Sequence, residues 1–322
     1  MQPVSVVATV LNEAQDIPRL IVSLLQQRPA AAEIIVVDGG STDGTWEWLE
    51  ETAQSHPTLR AIRDETCSLK HTPGPVSKGR NVAITAASTE LIACADCGCT
   101  YAPDWLENLT APMAGGKAQY ALGGSCLDLT DATVWDLASA PFFGVKLAID
   151  APSKSCTARS MAFSRDLWRR IGGFPETVLL GEDTLFDLQA RQLAQPEFVR
   201  ARAMYRPQNS FVSACKQLTR YAISDGILGV RVSRLFRNAA RCVAEVVALA
   251  VLPWTWIPLA AVGALELYFA FRLDWLFPWT WKPHVLLARI VFSIAVPWIV
   301  AINQIRGSLT KKNPTNAQNT RN

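Results

Sequence analysis

Apolar residues are arranged in two different ways along this chain, and the change comes after Gly226. Before it, short apolar runs alternate with amphipathic stretches. Val4-Ser5-Val6-Val7-Ala8-Thr9-Val10 is a nearly continuous β-branched run, the pattern of a strand covered on both faces. The polar turn Asn12 to Asp16 follows, then a helix over Pro18 to Gln27, with Pro18 suited to a first helical turn. Glu33 to Val37 forms a second such strand that ends at Asp38. Ser41 or Thr42 can cap a helix that begins near Thr45. Strand-like runs recur at Leu91 to Ala95 and near Gln119 to Leu122, with a helix between Lys78 and Ala87. This succession predicts an α/β domain over residues 1–226: a mostly parallel, Rossmann-like sheet with helices on both faces.

The second regime is apolar over long distances. From Cys242 to Phe271 the only charges are Glu245 and Glu266, and Val285 to Ile302 is interrupted only by Arg289. At ~1.5 Å per residue the first run exceeds a hydrocarbon core of ~30 Å, and Pro253 and Pro258 should kink it. Arg231, Arg234, Arg237 and Arg241 precede the pair, and Arg306, Lys311 and Lys312 follow it; the connecting loop carries only Arg272 and Lys282. The positive-inside rule then predicts a transmembrane hairpin over residues 242–303 with both outer flanks in the cytoplasm. Trp254, Trp256, Trp275, Trp279 and Trp281 suit the interfacial belt. Residues 227–241 read as a basic amphipathic helix on the membrane surface, and 304–322 as a disordered polar tail. A buried helical pair of a soluble protein is the alternative for the two runs.

Composition narrows the possible partners. A net charge of +3 with no basic stripe in the first two hundred residues argues against nucleic acid. Eight cysteines and no signal-peptide pattern at the start predict free thiols and a catalytic part in the cytoplasm. Cys94, Cys97 and Cys99 approach a thiolate spacing, yet no second cysteine pair or histidine lies nearby, so buried small thiols are preferred over zinc.

In open α/β sheets ligands sit beyond the carboxyl ends of strands, which singles out Glu13, Asp38 and Asp96. Gly39, Gly40 and Gly44 allow a tight backbone there, but their pattern is neither the dinucleotide fingerprint nor a P-loop, which weakens hydride-transfer and ATPase readings. On residues alone, Asp38 and Asp43 could simply shape an Asx turn, and Lys78 and Arg80 could be a solvated helix start.

Six short motifs occur in an order that resembles the family 2 glycosyltransferases with the GT-A fold. They are Val7-Ala8-Thr9-Val10-Leu11-Asn12-Glu13, Val36 to Thr45, Lys78-Gly79-Arg80-Asn81, Asp96-Cys97-Gly98, Ile171-Gly172-Gly173-Phe174-Pro175-Glu176 and Gly181-Glu182-Asp183. The resemblance covers Pro3 to Gly226, and the apolar hairpin is similar to those of members that build surface polysaccharides or glycolipids. It implies a nucleotide-sugar donor held by Thr9, Glu13, Asp38, Lys78, Arg80 and Asp96, with Asp38 accepting a hydrogen bond from the base. It also implies a divalent cation, Mg or Mn, at Asp96, although the family's Asp-x-Asp is here Asp96 followed by Cys97 and Gly98.

Inverting transfer requires a base for the acceptor hydroxyl, and the resemblance assigns it to Asp183, with Glu182 as its support or an acceptor contact. A helix-capping acid is the alternative for Asp183. Gln217, Arg220 and Tyr221 resemble a Gln-x-x-Arg-Trp motif with Tyr for Trp and would meet the acceptor or donor; Arg220 could equally be a juxtamembrane charge. Thr130 to Ala151, with Trp135, Phe142 and Phe143, is candidate acceptor-loop material. The expected protein is a multi-pass cell-membrane enzyme transferring sugar to a lipid-linked or glycan acceptor at the cytoplasmic face. A sugar nucleotidyltransferase and a non-catalytic nucleotide-sugar sensor are the competing readings.

Overall fold

The computed structural model describes residues 2–130, 132–143, 145, 156–205, 210–252, 255–274 and 282–312. The chain divides into two compact units, residues 1–128 with 148–206, and residues 129–147 with 207–322. The first unit holds, in chain order, β1 (Val4–Val10), α1 (Ile17–Leu25), β2 (Glu33–Asp38), α2 (Thr45–Ser55), β3 (Leu59–Arg63), α3 (Pro75–Ala86), β4 (Leu91–Cys94), β5 (Cys99–Tyr101), α4 (Trp105–Thr110) and β6 (Tyr120–Leu127). After α5 (Val134–Ser139), which belongs to the second unit, it resumes with β7 (Met161–Ser164), α6 (Arg165–Ile171), α7 (Glu182–Leu193) and β8 (Glu197–Tyr205).

One eight-stranded sheet runs in the order β3-β2-β1-β4-β7-β6-β8-β5. Strands β3, β2, β1 and β4 are parallel, as their separation by helices predicts, and β1 lies between β2 and β4 with six of its seven residues buried. The other half departs from the predicted parallel pattern. Strand β7 pairs antiparallel with β4 and β6, and β5 antiparallel with β8. Only a short turn separates Cys94 of β4 from Cys99 of β5, so the chain reverses there without the helical crossover that parallel strands need.

The core lies between the sheet and α3, α6 and α7. Phe174 stacks on Phe186 at 4.3 Å between ring centroids, and Phe163 meets Phe186 at 4.9 Å. Helix α2 starts at Thr45 as read from the sequence, but its N-cap is Gly44 in the left-handed region. The Ser41 hydroxyl accepts from Asn12 N–H instead, and Ser41 and Thr42 both lie ahead of the cap position at Gly44.

The second unit comprises α5, α8 (Phe211–Leu228), α9 (Val232–Ala250), α10 (Ile257–Asp274) and α11 (Pro283–Lys312). Leu218 of α8 and Phe292, Val296 and Val300 of α11 form its core. Gly226 and Gly307 let α8 and α11 approach closely, since a Cβ on either would overlap a carbonyl of the other helix. Among the described residues one helix, Pro283–Thr310, is long and apolar enough to cross a membrane, and half of its apolar window is buried. The first apolar run is divided, with α9 ending at Ala250 and α10 starting at Ile257. Pro253, the tryptophans at 254, 275, 279 and 281, and the tail from 313 onward lie outside the described residues.

Candidate active site

The carboxyl ends of β1 and β2 deliver two loops that are stitched together by short polar bonds. Asn12 adopts a positive φ of 56°; its N–H donates to Ser41 Oγ at 2.8 Å, and its Oδ1 accepts from Thr42 N–H at 2.9 Å. Glu13 N–H donates to Thr45 Oγ1 at 2.8 Å, and Ala14 N–H to Asp43 Oδ2 at 3.1 Å. Asp43 also accepts from the N–H and hydroxyl of Thr45, and the hydroxyl chiefly holds its carboxyl below the usual range. Asp43 is therefore turn geometry.

Asp38 is different. It is completely buried, and its Oδ1 accepts from Gly40 N–H and Ser41 N–H, both at 2.9 Å. Oδ2 is buried without a hydrogen-bond partner. A buried, half-satisfied carboxylate is costly, and it is the kind of acceptor that a ligand N–H completes. Beside it, a Cβ on Gly39 would collide with the carbonyl of Cys67, so the backbone runs here as closely as glycine permits.

Helix α3 crosses the end of β1 at Gly79, where any side chain would overlap Thr9 Oγ1. The next two residues tie distant motifs together. Arg80 is buried; its Nη2 donates to Asp96 Oδ1 at 2.6 Å and its Nη1 to Glu182 Oε1 at 2.7 Å. Burial works against the Arg80 charge, and the two carboxylates outweigh it, raising the guanidinium above its ordinary pKa. Asn81 donates to Phe174 O and Glu176 Oε1, both at 2.9 Å, and accepts from Phe174 N–H at 2.8 Å. Lys78 is half-buried near Asp64 and Cys67.

Asp96 ends the segment after β4, and its N–H donates to Tyr101 Oη at 2.9 Å. The Tyr101 hydroxyl passes its own hydrogen to Arg159 O at 3.0 Å, and the Arg159 guanidinium stacks over Tyr205 at 4.2 Å. Burial, and after it the charges of Asp16 and Asp43, raise the Glu13 pKa, while the Cys97 thiol donates to it and opposes the rise.

Gly181, with φ of 83°, starts α7 and places Glu182 and Asp183 in its first turn. Burial raises the Glu182 pKa; Arg80 opposes that shift and Asp183 adds to it. Asp183 Oδ1 accepts from Thr184 N–H at 2.6 Å, so one oxygen is held by the helix start while Oδ2 lies outside that bond. The Cys156 thiol donates to the Asp183 carbonyl at 3.4 Å and ties this turn from below.

Thr9, Glu13, Asp38, Lys78, Arg80, Asp96, Glu182 and Asp183 thus all belong to the first unit, whereas Gln217, Arg220 and Tyr221 belong to the second. There Gln217 Nε2 donates to Tyr221 Oη at 2.8 Å and Arg220 is exposed. Trp135 and Phe142 pack on Phe211 and Phe292 in that unit's core, so aromatic packing accounts for them; residues 146–151 of the same stretch lie outside the described residues. Sequence reasoning assigned no role to Asn81, Tyr101 or Arg159. Asn81 could have been found as the last residue of its motif, but Tyr101 and Arg159 belong to none.

A divalent cation finds one hard oxygen donor here. Asp96 is partly exposed, with Oδ1 bonded to Arg80, and among the described residues no group of three His, Cys, Asp or Glu side chains could hold a metal. The site fits a cation that receives its remaining ligands from a diphosphate and water rather than from the protein.

A model for Glycosyl transferase family 2 matches residues 5–171, more than half of the 322-residue chain. The chain is similar to Glycosyltransferase AglE of Haloferax volcanii, at 23% identity over 192 residues. That match covers 56% of this chain and 58% of the relative, less than two thirds of the relative's length. Among solved structures, the mannosyltransferase PcManGT from Pyrobaculum calidifontis, in complex with GDP-Man and Mn2+, superposes with a TM-score of 0.64 at 17% identity, covering 97% of this chain and 88% of the other. Residues 1–349 of TarS from S. aureus, in complex with UDP, give a TM-score of 0.51 at 19% identity, covering 97% and 92%.

Proposed function

The chain belongs to glycosyl transferase family 2 and has the GT-A fold, and from that premise we propose that it moves a sugar from a nucleoside-diphosphate donor to a lipid-linked or glycan acceptor, inverting the anomeric carbon. The observation that carries this reading is Asp38, a buried carboxylate with one oxygen held by two backbone amides and the other without a partner. A nucleobase N–H fills that place. Thr9 and Glu13 line the same loop ends, and Lys78 supplies a cation on the adjoining helix. When bound, a divalent cation at Asp96 neutralises charge that develops on the departing diphosphate.

Asp183 takes the proton of the acceptor hydroxyl at Oδ2, the oxygen not held by Thr184. Glu182 contacts the acceptor edge and Arg80 sets its carboxylate. Gln217, Arg220 and Tyr221 would receive the acceptor. The basic residues flanking the apolar runs support attachment to the cytoplasmic face of a membrane through α9 and a hairpin that ends in α11.

Purified protein in detergent, offered UDP- and GDP-sugars with a lipid-linked sugar or a glycan, should release nucleoside diphosphate only when donor and acceptor are both present. Chelation of divalent cations should suppress that release. Tight donor binding with no turnover under any pairing would replace the transferase reading by the sensor reading.

A further inference from the structure

Arg80 stands where two distant parts of the chain meet. Its side chain is 3% exposed, and its two terminal nitrogens are spent on carboxylates 16 and 102 residues away, Asp96 at 2.6 Å and Glu182 at 2.7 Å. The guanidinium carbon lies 5.4 Å from the centroid of the Phe174 ring, and Nε is buried with no partner. A group so enclosed and so committed is poorly placed to grip an incoming diphosphate. Its neighbours in α3 point the same way, since Gly79 packs on Thr9 and Asn81 holds Phe174 and Glu176.

We propose that Arg80 is a positioning residue that braces the donor-side carboxylate of Asp96 against the acceptor-side turn at Glu182 and Asp183. The idea rests on the transferase reading for its catalytic consequence but not for its geometry. Two carboxylates fixed by separate nitrogens of one planar fork hold a set separation, which one ammonium cannot reproduce. The Glu182 end of the brace is one residue from Asp183, so a shift there moves the proposed base directly. Loss of the brace should therefore lower turnover and leave the cation-independent part of nucleotide affinity, which Asp38 carries, alone.

The test compares Arg80→Lys with the unsubstituted protein. Dissociation of a nucleoside diphosphate measured without divalent cation should stay within about twofold, while kcat with the cation present falls about a hundredfold, the scale of a misplaced reacting group. Nucleotide binding weakened about tenfold or more with kcat retained would make Arg80 a donor ligand and overturn the brace. A second measurement covers a lysine variant that does not fold: melting temperatures of Asp96→Asn, Glu182→Gln and the double variant, which keep side-chain shape. Partners of one guanidinium should give non-additive shifts, and additive shifts would overturn the proposal. Non-additive melting in a protein that turns over no donor would instead remove the transferase reading and leave the brace standing.

Discussion

Replacing Asp38 with Asn separates the binding role of this carboxylate from its structural one. Oδ1 already accepts from Gly40 and Ser41 N–H at 2.9 Å each. An amide must keep its oxygen there, because an NH2 group cannot accept, and its nitrogen then occupies the place of the unpartnered Oδ2. A base N–H that met a carboxylate oxygen would now meet another donor. A hydrogen bond to a charged partner contributes about 1.5–3 kcal/mol net, so nucleotide affinity should fall about 10- to 150-fold. The melting temperature should hardly move, since both backbone bonds survive. Asp38→Ala should do both kinds of damage, because the buried Ser41 N–H loses its acceptor at about 1–3 kcal/mol and the partly buried Gly40 N–H loses its own at a smaller cost. Titration calorimetry with a nucleoside diphosphate, alongside thermal melts, distinguishes the two variants. An Asn variant that binds nucleotide as tightly as the parent would refute the pocket.

Three further outcomes follow from the same geometry. Asp183→Asn should keep nucleoside-diphosphate binding and lower transfer by about 10²- to 10⁴-fold, read as product release, and undiminished turnover would remove Asp183 from the role of base. Gly79→Ala forces a methyl into Thr9 Oγ1 and should cost about 1–3 kcal/mol in thermal stability, with Thr9→Ala in the same background recovering only part of it, because Thr9 Cβ, which alanine keeps, lies 2.8 Å from the new methyl. Burial, Asp16 and Asp43 raise Glu13 above its ordinary 4.5, so the folded state holds this proton more tightly than the unfolded chain. The stabilisation is complete below pH 4.5 and is lost as pH rises through the folded value. Melts of Glu13→Gln should accordingly match the parent at low pH and exceed it at pH 7.

Much of the first unit was legible because its determinants are local. The β-branched run of β1 and the strand ending at Asp38 need only the two-faced burial that periodicity reports. The antiparallel strand β7 was not legible. Met161-Ala162-Phe163-Ser164 is four residues long, and its pairing with β4 is set by partners some seventy positions away. The cap of α2 escapes the sequence for a related reason: Ser41 is a good capping residue, but its hydroxyl is taken by Asn12 of another loop, and the cap falls at Gly44. For Lys78 and Arg80 the sequence supplied residue type and neighbourhood, whereas burial decides what each can touch. Arg80 is enclosed and doubly paired; Lys78 is half-exposed.

The motifs that looked independent in the sequence are halves of shared contacts, which explains why their order carried so much information. Asn12 exists in its left-handed turn because Ser41 and Thr42 meet it, so the first motif requires the second. Gly79 must lack a side chain because Thr9 is there, so the third requires the first. Arg80 reaches Asp96 and Glu182, and Asn81 reaches Phe174, which joins the third to the fourth, fifth and sixth. A chance occurrence of one such motif has no reason to bring the others with it, but a three-residue turn of α3 that touches the first, fourth, fifth and sixth does. The same logic predicts where substitutions will couple. Changes at Thr9 and Gly79, or at Asp96 and Glu182, should be non-additive because each pair shares one contact, while changes at Asp38 and Asp183 share none and should add.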